Sequence, residues 1–465
     1  VLNINSGTYN FAASDQLWDY FNAPSGASGT LGCGIVVEPG GHLNIQSATL
    51  GGISFSSIGQ HNVWDGIVVQ GTYADPSSGL QGRIYLGGAT IRDARFGVYM
   101  GDNFRFYYNQ SSLGYSVLDH NNLYSSRYTG TYNKGGGVIS ASGYGVTRNT
   151  FLDCGYGVNF ENYFFFRNNS YIYNTDFTTD AAGMGDICYY TNSNGDKMPS
   201  NTHIGAWQWY GLHLSDNTFN CDVSFPMQQR PIGVSSVASG ITIDDAIGSG
   251  NSFSNLSSGV YAAANGCGSF HVAINNNTFD NNTYGVSGAS MPFGSLVVDN
   301  NNFNVAQAST STFAAGVFLT SCDGYSISNN TFDRCSSCGV YPGVRGVVIN
   351  NNHINNTTVH NNTFNNVYTA ALAEQNNGDP HSPAYSGSYS GLQFRCNDFV
   401  NSLIDVSRTS FIYPTPGLPH EGTIRFKQGT CGAVANSAGN RFFVDCSVYT
   451  GGRLIDLDGS IIHSI

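Results

Sequence analysis

Two carboxylates close together could act as the acid and base that cleave a glycosidic bond, and this chain carries one adjacent pair. Asp244 and Asp245 stand side by side in the phrase GITIDDAIGSG. No Gly-His-Gly turn follows them, and adjacent residues of a strand point to opposite faces of its sheet. The pair is therefore only a candidate acid pair, and no catalytic residue is assigned. The alternative is an aspartate turn that binds structural Ca²⁺ weakly; no other metal or cofactor is predicted.

Other polar residues give incomplete sites. Arg92, Asp93 and Arg95 in TIRDARFGV could supply a Ca²⁺ ligand and the basic side chain of a polysaccharide lyase, or simply form a salt bridge at a corner. His353 and His360 lie seven residues apart in an Asn-rich stretch, which indicates stacked solvent positions rather than a metal site. Neither a Gly-x-Ser-x-Gly elbow nor a His-Glu-x-x-His motif occurs.

The chain has eleven cysteines, and their wide spacing favours an oxidising compartment, with reduced and buried cysteines as the alternative. Cys335 and Cys338 have C-x-x-C spacing, but a zinc site would need a second pair or histidines nearby. We expect some disulfides. The group from Cys396 to Cys446 is the first candidate, because three cysteines lie close to the end of the chain.

Aromatic residues give the clearest binding signal. Trp207, Trp209 and Tyr210 follow one another in AWQWYGLHL, and alternation would put both indoles on one side of an extended strand. Planar rings on a surface are what a sugar ring stacks against, so these three residues are the candidate carbohydrate-binding site. The alternative is an aromatic cluster in the core. The segments 103–109 and 162–174 could extend either arrangement.

The composition restricts both the fold class of the protein and the kinds of partner it can bind. Charged residues are only 10% of the chain, against roughly 25% in ordinary soluble domains. The formal net charge is −12, which does not suit a nucleic-acid partner. No apolar run is long enough to span a bilayer. The 58 glycines disfavour helices, whereas 13% aromatics argue against disorder. A large, turn-rich, all-β protein is predicted.

One phrase recurs along the chain: Asn, a small polar residue and Phe, followed a few residues later by Gly-Val. The phenylalanines that anchor it are Phe151, Phe253, Phe279, Phe303, Phe332, Phe364 and Phe399. The number of residues between copies varies and the strands are short. Both features fit the coils of a parallel β-helix better than the blades of a propeller. In such a coil Phe and Val point inwards, Asn side chains form a ladder at a turn, and we assign the glycine before Val to another corner.

The predicted fold is therefore all-β: a single-stranded right-handed parallel β-helix with long loop excursions. No linker or charge run interrupts it, so residues 1–465 are expected to form one continuous solenoid. The repeat pattern is interrupted at 162–235 and at 373–392, and we assign these two segments to the loop excursions.

Four phrases support a family resemblance: GIVVEPGGHLNIQSATL, VWDGIVVQG, GGVISASGYGVTRNTFLDCGYGVNFENY and the closing stretch from FRCNDFVNS to NSAGNRF. They resemble the right-handed parallel β-helix repeat proteins secreted by Bacteroidetes-type bacteria. The resemblance implies a secreted, cell-surface location, export by a type IX secretion system, and a place within a longer precursor.

We expect an extracellular structural or adhesive module that binds a surface glycan, more plausibly without enzymatic activity than with it. Two alternatives stay open. One is a polysaccharide lyase or glycoside hydrolase built on the same scaffold. The other is a self-associating filament subunit, because an uncapped β-helix exposes strand edges that can pair with another copy.

Overall fold

The chain folds as an all-β protein in a computed structural model. The structure describes residues 1–11, 34–52, 54–55, 60–61, 64–71, 75, 77, 79–101, 138–142, 148–163, 166–180, 190–191, 197–198, 202–246, 248, 250–264, 270–292, 294–305, 313–334, 343–350, 357–374, 377, 392–402, 404–409, 440–443 and 454–456. These residues belong to two compact units, residues 1–235 and 236–465.

In its described part, the first unit contains strands and the short 3-10 helix Met227–Gln229. Its strands are Leu2–Phe11, Gly34–Val37, His42–Gly52, Ser54–Phe55, Gln60–His61, Trp64–Val69, Arg83–Gly87, Thr90–Arg92, Ala94–Met100, Val138–Ser142, Asn149–Leu152, Tyr156–Tyr163, Tyr171–Tyr173, Thr175–Thr179, Tyr190–Thr191, Lys197–Met198, Thr202–Ser215 and Thr218–Cys221. The strand Ile232–Val237 contains the boundary between the units.

The described part of the second unit contains strands alone. They are Gly240–Asp244, Ser252–Ser254, Ser258–Ala263, Val272–Asn275, Thr278–Asp280, Tyr284–Ala289, Leu296–Asp299, Asn302–Val305, Ala314–Thr320, Ser326–Ser328, Thr331–Arg334, Val344–Asn350, Thr357–His360, Thr363–Asn365, Thr369–Glu374, Leu392–Arg395, Asp398–Val400, Ile404–Thr409, Arg441–Phe443 and Leu454–Asp456.

Each full coil contributes one strand to each of three parallel faces. In the first unit, one such coil runs through Val138–Ser142 on the first face, Asn149–Leu152 on the second and Tyr156–Tyr163 on the third. Each of these strands pairs in parallel with the corresponding strands of the coils before and after it. The second unit repeats this pattern. The predicted all-β parallel β-helix class is confirmed.

The predicted phenylalanine ladder fills the interior. In the second unit, consecutive rings from Phe253 to Phe332 stack with centroids 4.7–4.8 Å apart and planes within 9° of parallel. Phe364 and Phe399 continue the column. All of these rings are buried. Stacking at the strand spacing follows from the parallel register, because identical positions of successive coils lie directly over one another.

The glycine of the Gly-Val phrase does not turn a corner, which corrects the assignment made from the sequence. Gly259, Gly285 and Gly316 lie within strands of the third face. A Cβ at Gly259 would lie 2.6 Å from the Phe279 ring and from the carbonyl oxygen of Gly285. Glycine is needed there because the stacked rings occupy the space that any side chain would need.

Asparagine side chains form the predicted ladder beside the second face. In the second unit each ladder amide donates from Nδ2 to Oδ1 of the asparagine in the next coil, at 2.8–3.2 Å. The members are Asn251, Asn277, Asn301, Asn330, Asn362, Asn397 and Asn440. The same Oδ1 atoms also accept backbone N–H groups, so the ladder satisfies buried turns that have no partner of their own.

The range predicted for the first excursion, 162–235, includes strands that belong to the coils. The strands Tyr171–Tyr173, Thr175–Thr179, Thr202–Ser215 and Thr218–Cys221 all pair with the coils of the first unit. Within 181–201, the structure describes a small antiparallel pair, Tyr190–Thr191 with Lys197–Met198. Of the predicted excursion at 373–392, residues 378–391 lie outside the described residues.

The expected disulfides are not found among the described cysteines. Cys154, Cys221, Cys322 and Cys396 carry thiols. The first three are buried in coils, where each Sγ lies 3.4–3.6 Å from a backbone carbonyl oxygen. They pack as small apolar residues, which explains why their spacing misled the disulfide prediction. Cys396 is exposed and unbridged; Cys431 and Cys446 of the predicted group, and the pair Cys335 and Cys338, lie outside the described residues.

Candidate functional site

The two predicted tryptophans are core residues. Trp207 is 7% exposed and Trp209 is fully buried, whereas Tyr210 is 41% exposed. Gln208 between the indoles takes a left-handed conformation (φ 47°), so regular strand alternation stops there. Trp209 packs on Phe160, with ring centroids 4.9 Å apart. The indoles therefore do not form an exposed platform, and of the three candidates Tyr210 alone is an exposed side chain.

The candidate acid pair lies where the strand Gly240–Asp244 ends: Asp244 is its last residue and Asp245 begins the turn. Oδ1 of Asp244 accepts the backbone N–H of Ala246 at 3.0 Å. Asp245 is exposed, and its Oδ1 accepts Nδ2 of Asn276 at 2.9 Å. The two carboxylates are used in local hydrogen bonds of a corner, which is the turn alternative considered from the sequence.

The lyase candidates also sit at a corner. Arg92 Nε lies 2.7 Å from Asp93 Oδ2, and Asp93 is buried in a left-handed conformation. The strand position of Arg95 is described but its side chain is not. His360 ends a first-face strand of the second unit, and His353 lies outside the described residues. Among the described residues, no three His, Cys, Asp or Glu side chains come together as a metal site.

Asp153, one coil after Asp93, is a second buried acid of this corner. It is 3% exposed, its Oδ1 accepts the backbone N–H of Asp180 at 2.7 Å, and its buried Oδ2 has no hydrogen-bond partner. Burial raises the pKa of Asp153 to about 7, and the neighbouring Asp93 and Asp180 act in the same direction. The group is enclosed, so it contributes to pH-dependent stability rather than to an accessible site.

A partly exposed aromatic surface lies on the first face of the first unit. Tyr85, Ser140, Tyr171 and His213 occupy the same register position in four consecutive coils. Their strand neighbours, such as Ile84 and Ile172, are buried inside, so alternation turns these four side chains outwards. All four are half-buried. Together with Tyr173 they form what we call the tyrosine strip.

The rings of the strip lie along the sheet. Tyr171 and Tyr173 stack with centroids 4.8 Å apart. The rings of Tyr173 and His213 pack edge to face, with centroids 5.2 Å apart. The Tyr173 hydroxyl lies 2.7 Å from His213 Nδ1. The Tyr85 ring leans over Gly87, where an added Cβ would lie 3.1 Å from Cε1 of the ring. Gly87 thus lets Tyr85 lie flat against the strand.

A charged network borders the strip at the corner that follows it. Arg148 Nε lies 2.6 Å from Asp176 Oδ1, and its Nη1 lies 3.5 Å from Asp216 Oδ1. The same guanidinium donates to Asn174 Oδ1 at 2.6 Å and to the Asp216 carbonyl oxygen at 2.6 Å. Asn174 directly follows Tyr173, so this network fixes the edge of the strip across three coils.

The sequence alone did not identify these residues as a site. Tyr171 and Tyr173 belong to the segment 162–174, which it indicated as a possible extension, but Tyr85 and His213 carried no signal of their own. The alternating pattern of IYLGG and SYIYN could have shown that these tyrosines face outwards. Their common register could not be found in this way, because insertions of different lengths separate the coils.

No protein-family model matches the sequence, and no curated protein shows a significant match. Among solved structures, a tailspike protein double mutant of the E. coli bacteriophage HK620 aligns with a TM-score of 0.33 and 14% identity, over 87% of this chain and 58% of that one. A mutant of the periplasmic alginate epimerase AlgG aligns with a TM-score of 0.19 and 12% identity, over 88% of this chain and 84% of that one.

This chain thus spans a little over half the length of the tailspike chain. The assignment to the parallel β-helix class rests on the strand registers and side-chain ladders described above. The resemblance to secreted Bacteroidetes proteins is supported only as far as that fold. No helix among the described residues is long and apolar enough to cross a membrane.

Proposed function

We propose that this chain is a carbohydrate-binding β-helix module of a secreted or cell-surface protein, and that the tyrosine strip is its contact surface. The observation that carries the proposal is the register of Tyr85, Ser140, Tyr171 and His213 on one parallel face. A rigid sheet holds these side chains in place before a ligand arrives, which lowers the entropic cost of binding.

The chemistry of the strip suits a sugar. Tyrosine offers an apolar ring face for the C–H side of a sugar and a hydroxyl that can both donate and accept. Ser140 adds a second hydroxyl between Tyr85 and Tyr171. The edge carboxylates of Asp176 and Asp216 are both engaged by Arg148, which positions them to accept hydrogen bonds. Binding without cleavage is therefore the proposed activity.

The test compares the wild-type chain with the double variant Tyr171→Ala/Tyr173→Ala on an immobilised glycan array. Removing both rings should weaken binding of the best wild-type glycan at least about tenfold, the usual cost of losing central aromatic contacts. Tyr9→Ala is the matched control, because Tyr9 is exposed in the same unit but lies outside the strip. A melting curve for each variant shows that the coils are intact.

Two results would contradict the proposal. In the first, the folded double variant binds the same glycans as strongly as the wild-type chain, so that another surface must hold the ligand. In the second, the wild-type chain binds no glycan on an array that includes neutral, acidic and aminated sugars.

A further inference from the structure

We infer that the tyrosine strip selects an uncharged glycan chain that lies across the strands and spans four coils. This inference rests on the proposed function and names the class and direction of its ligand.

The direction follows from the register. Tyr85, Ser140, Tyr171 and His213 are successive members of one column, with one residue in each coil. At the strand spacing, three coil steps separate the first Cα from the last by about 14 Å. A monosaccharide cannot contact both ends of such a column. A chain that runs perpendicular to the strands contacts every member, so affinity should increase with chain length until the ligand covers that distance.

The charge around the strip favours a neutral ligand. Arg83, two residues before Tyr85 on the same face, and Arg148 at the far corner carry positive charges, and Asp176 and Asp216 carry negative charges. At the end that carries Tyr171, Tyr173 and His213, Arg167 packs over Gly211, so Arg148 and Arg167 balance the two carboxylates. An acidic chain would therefore meet no excess of positive charge at that end, and burying its own charges would cost further free energy.

The edge carboxylates give hydroxyl groups a partner. The side chains of Asp176 and Asp216 are 31% and 32% exposed, so each stays partly open to solvent while Arg148 holds it in place. A carboxylate accepts hydrogen bonds only, and a hydrogen bond from a hydroxyl to a charged acceptor is among the stronger ones. Sugar hydroxyls supply that donor, whereas a uronate or sulfate group supplies a second acceptor.

The experiment uses the wild-type chain on an array of neutral, uronate-containing and sulfated oligosaccharides, each as a length series. Titration calorimetry then follows the best binder at two salt concentrations, about 0.05 M and 0.5 M NaCl. We expect the best binder to be neutral, its signal to increase with length, and its affinity to change less than about twofold with salt, because no charges are paired on binding.

Asp176→Asn/Asp216→Asn supplies the variant test, with Asp280→Asn, an exposed acid of the second unit, as its control. The group of Arg148 and its two partners then changes from a net charge of −1 to +1, so acidic probes should gain affinity while the neutral ligand loses at least about fivefold. The dependence of affinity on glycan length and on salt is measured with the wild-type chain alone. These measurements therefore test the inference even if the variant unfolds.

The inference is overturned if acidic glycans bind best, or if monosaccharides bind as tightly as long chains. In both cases the proposed glycan-binding function survives. An absence of any glycan binding contradicts the proposed function itself, which keeps the two failures distinct.

Discussion

Replacing the buried ladder residue Asn301 with alanine should cost much more stability than replacing an exposed asparagine of the second unit. Its Oδ1 accepts the backbone N–H of Asn277 at 2.9 Å and Nδ2 of the same residue at 3.1 Å. Its Nδ2 donates to the carbonyl oxygens of Ile274 and Asp299 at 2.9 Å and to Asn330 Oδ1 at 3.0 Å. One buried side chain therefore makes five hydrogen bonds.

The magnitude depends on which partners retain another bond. Nδ2 of Asn277 still donates to the carbonyl oxygens of Ile243 and Asn275. Asn330 Oδ1 still accepts the backbone N–H of residue 301. The backbone N–H of Asn277 loses its acceptor, and a buried group left unsatisfied costs about 1–3 kcal/mol. With the lost donor at Ile274 and the small cavity added, the free energy of unfolding should fall by about 3–5 kcal/mol.

The assay is urea unfolding followed by far-ultraviolet circular dichroism, with hydrogen exchange of the peptides around residues 274–277 as the local measurement. Asn300→Gly is the matched control: its side chain is exposed, it occupies a left-handed corner that glycine tolerates, and it donates to Asn276 Oδ1. That change should cost less than about 1 kcal/mol. Equal losses for both variants would refute the argument that the buried ladder carries the stability.

Three further predictions concern packing and pH. Phe303→Ala should lower the free energy of unfolding by about 3–5 kcal/mol, measured by the same urea titration, because it opens a cavity inside the ring column. Gly285→Ala should cost at least about 2 kcal/mol in that assay, since its Cβ would lie 2.6 Å from the Phe303 ring and from a neighbouring carbonyl oxygen; a neutral effect would show that the coil can yield. The folded-state pKa of Asp153 is raised from 3.8 to about 7, so the native first unit holds a proton that the unfolded chain releases, and stability should fall as pH increases from about 4 to about 7 and then level off. Asp153→Asn should flatten that slope in urea titrations followed by the fluorescence of Trp64, Trp207 and Trp209; an unchanged slope would assign it to another group.

The interior of the coils could be predicted from the sequence because its residues repeat. Phe279 and Asn277 recur at the same place in coil after coil, so periodicity identifies them without any knowledge of the turns. The role of Gly259 could not be read in this way. Its sequence context suggests a corner, and only the ring of Phe279 in the next coil shows why a side chain is excluded.

The surface was less predictable for two physical reasons. A single left-handed residue, Gln208, interrupts the alternation on which the interpretation of Trp207 and Trp209 depended. The tyrosine strip, in turn, brings together residues as distant as Tyr85 and His213, which become neighbours only through the register of parallel strands. Local sequence patterns show which way a side chain points, but they do not show which coil it will lie beside.

The corners of the second unit have a consequence for how the protein is produced. An exposed or half-exposed corner asparagine, a buried ladder asparagine and a strand threonine form the tripeptides Asn276-Asn277-Thr278, Asn329-Asn330-Thr331 and Asn361-Asn362-Thr363. Each is also an Asn-x-Thr acceptor sequence for N-linked glycosylation. In a eukaryotic secretory host these corners would meet the glycosylation machinery before the coils close, and a glycan on Asn329 would replace one of the two hydrogens of the amide that donates to Asp299 at 2.7 Å. Material for binding studies should therefore come from a bacterial host, where any sugar found on the protein is a ligand rather than a modification of the scaffold.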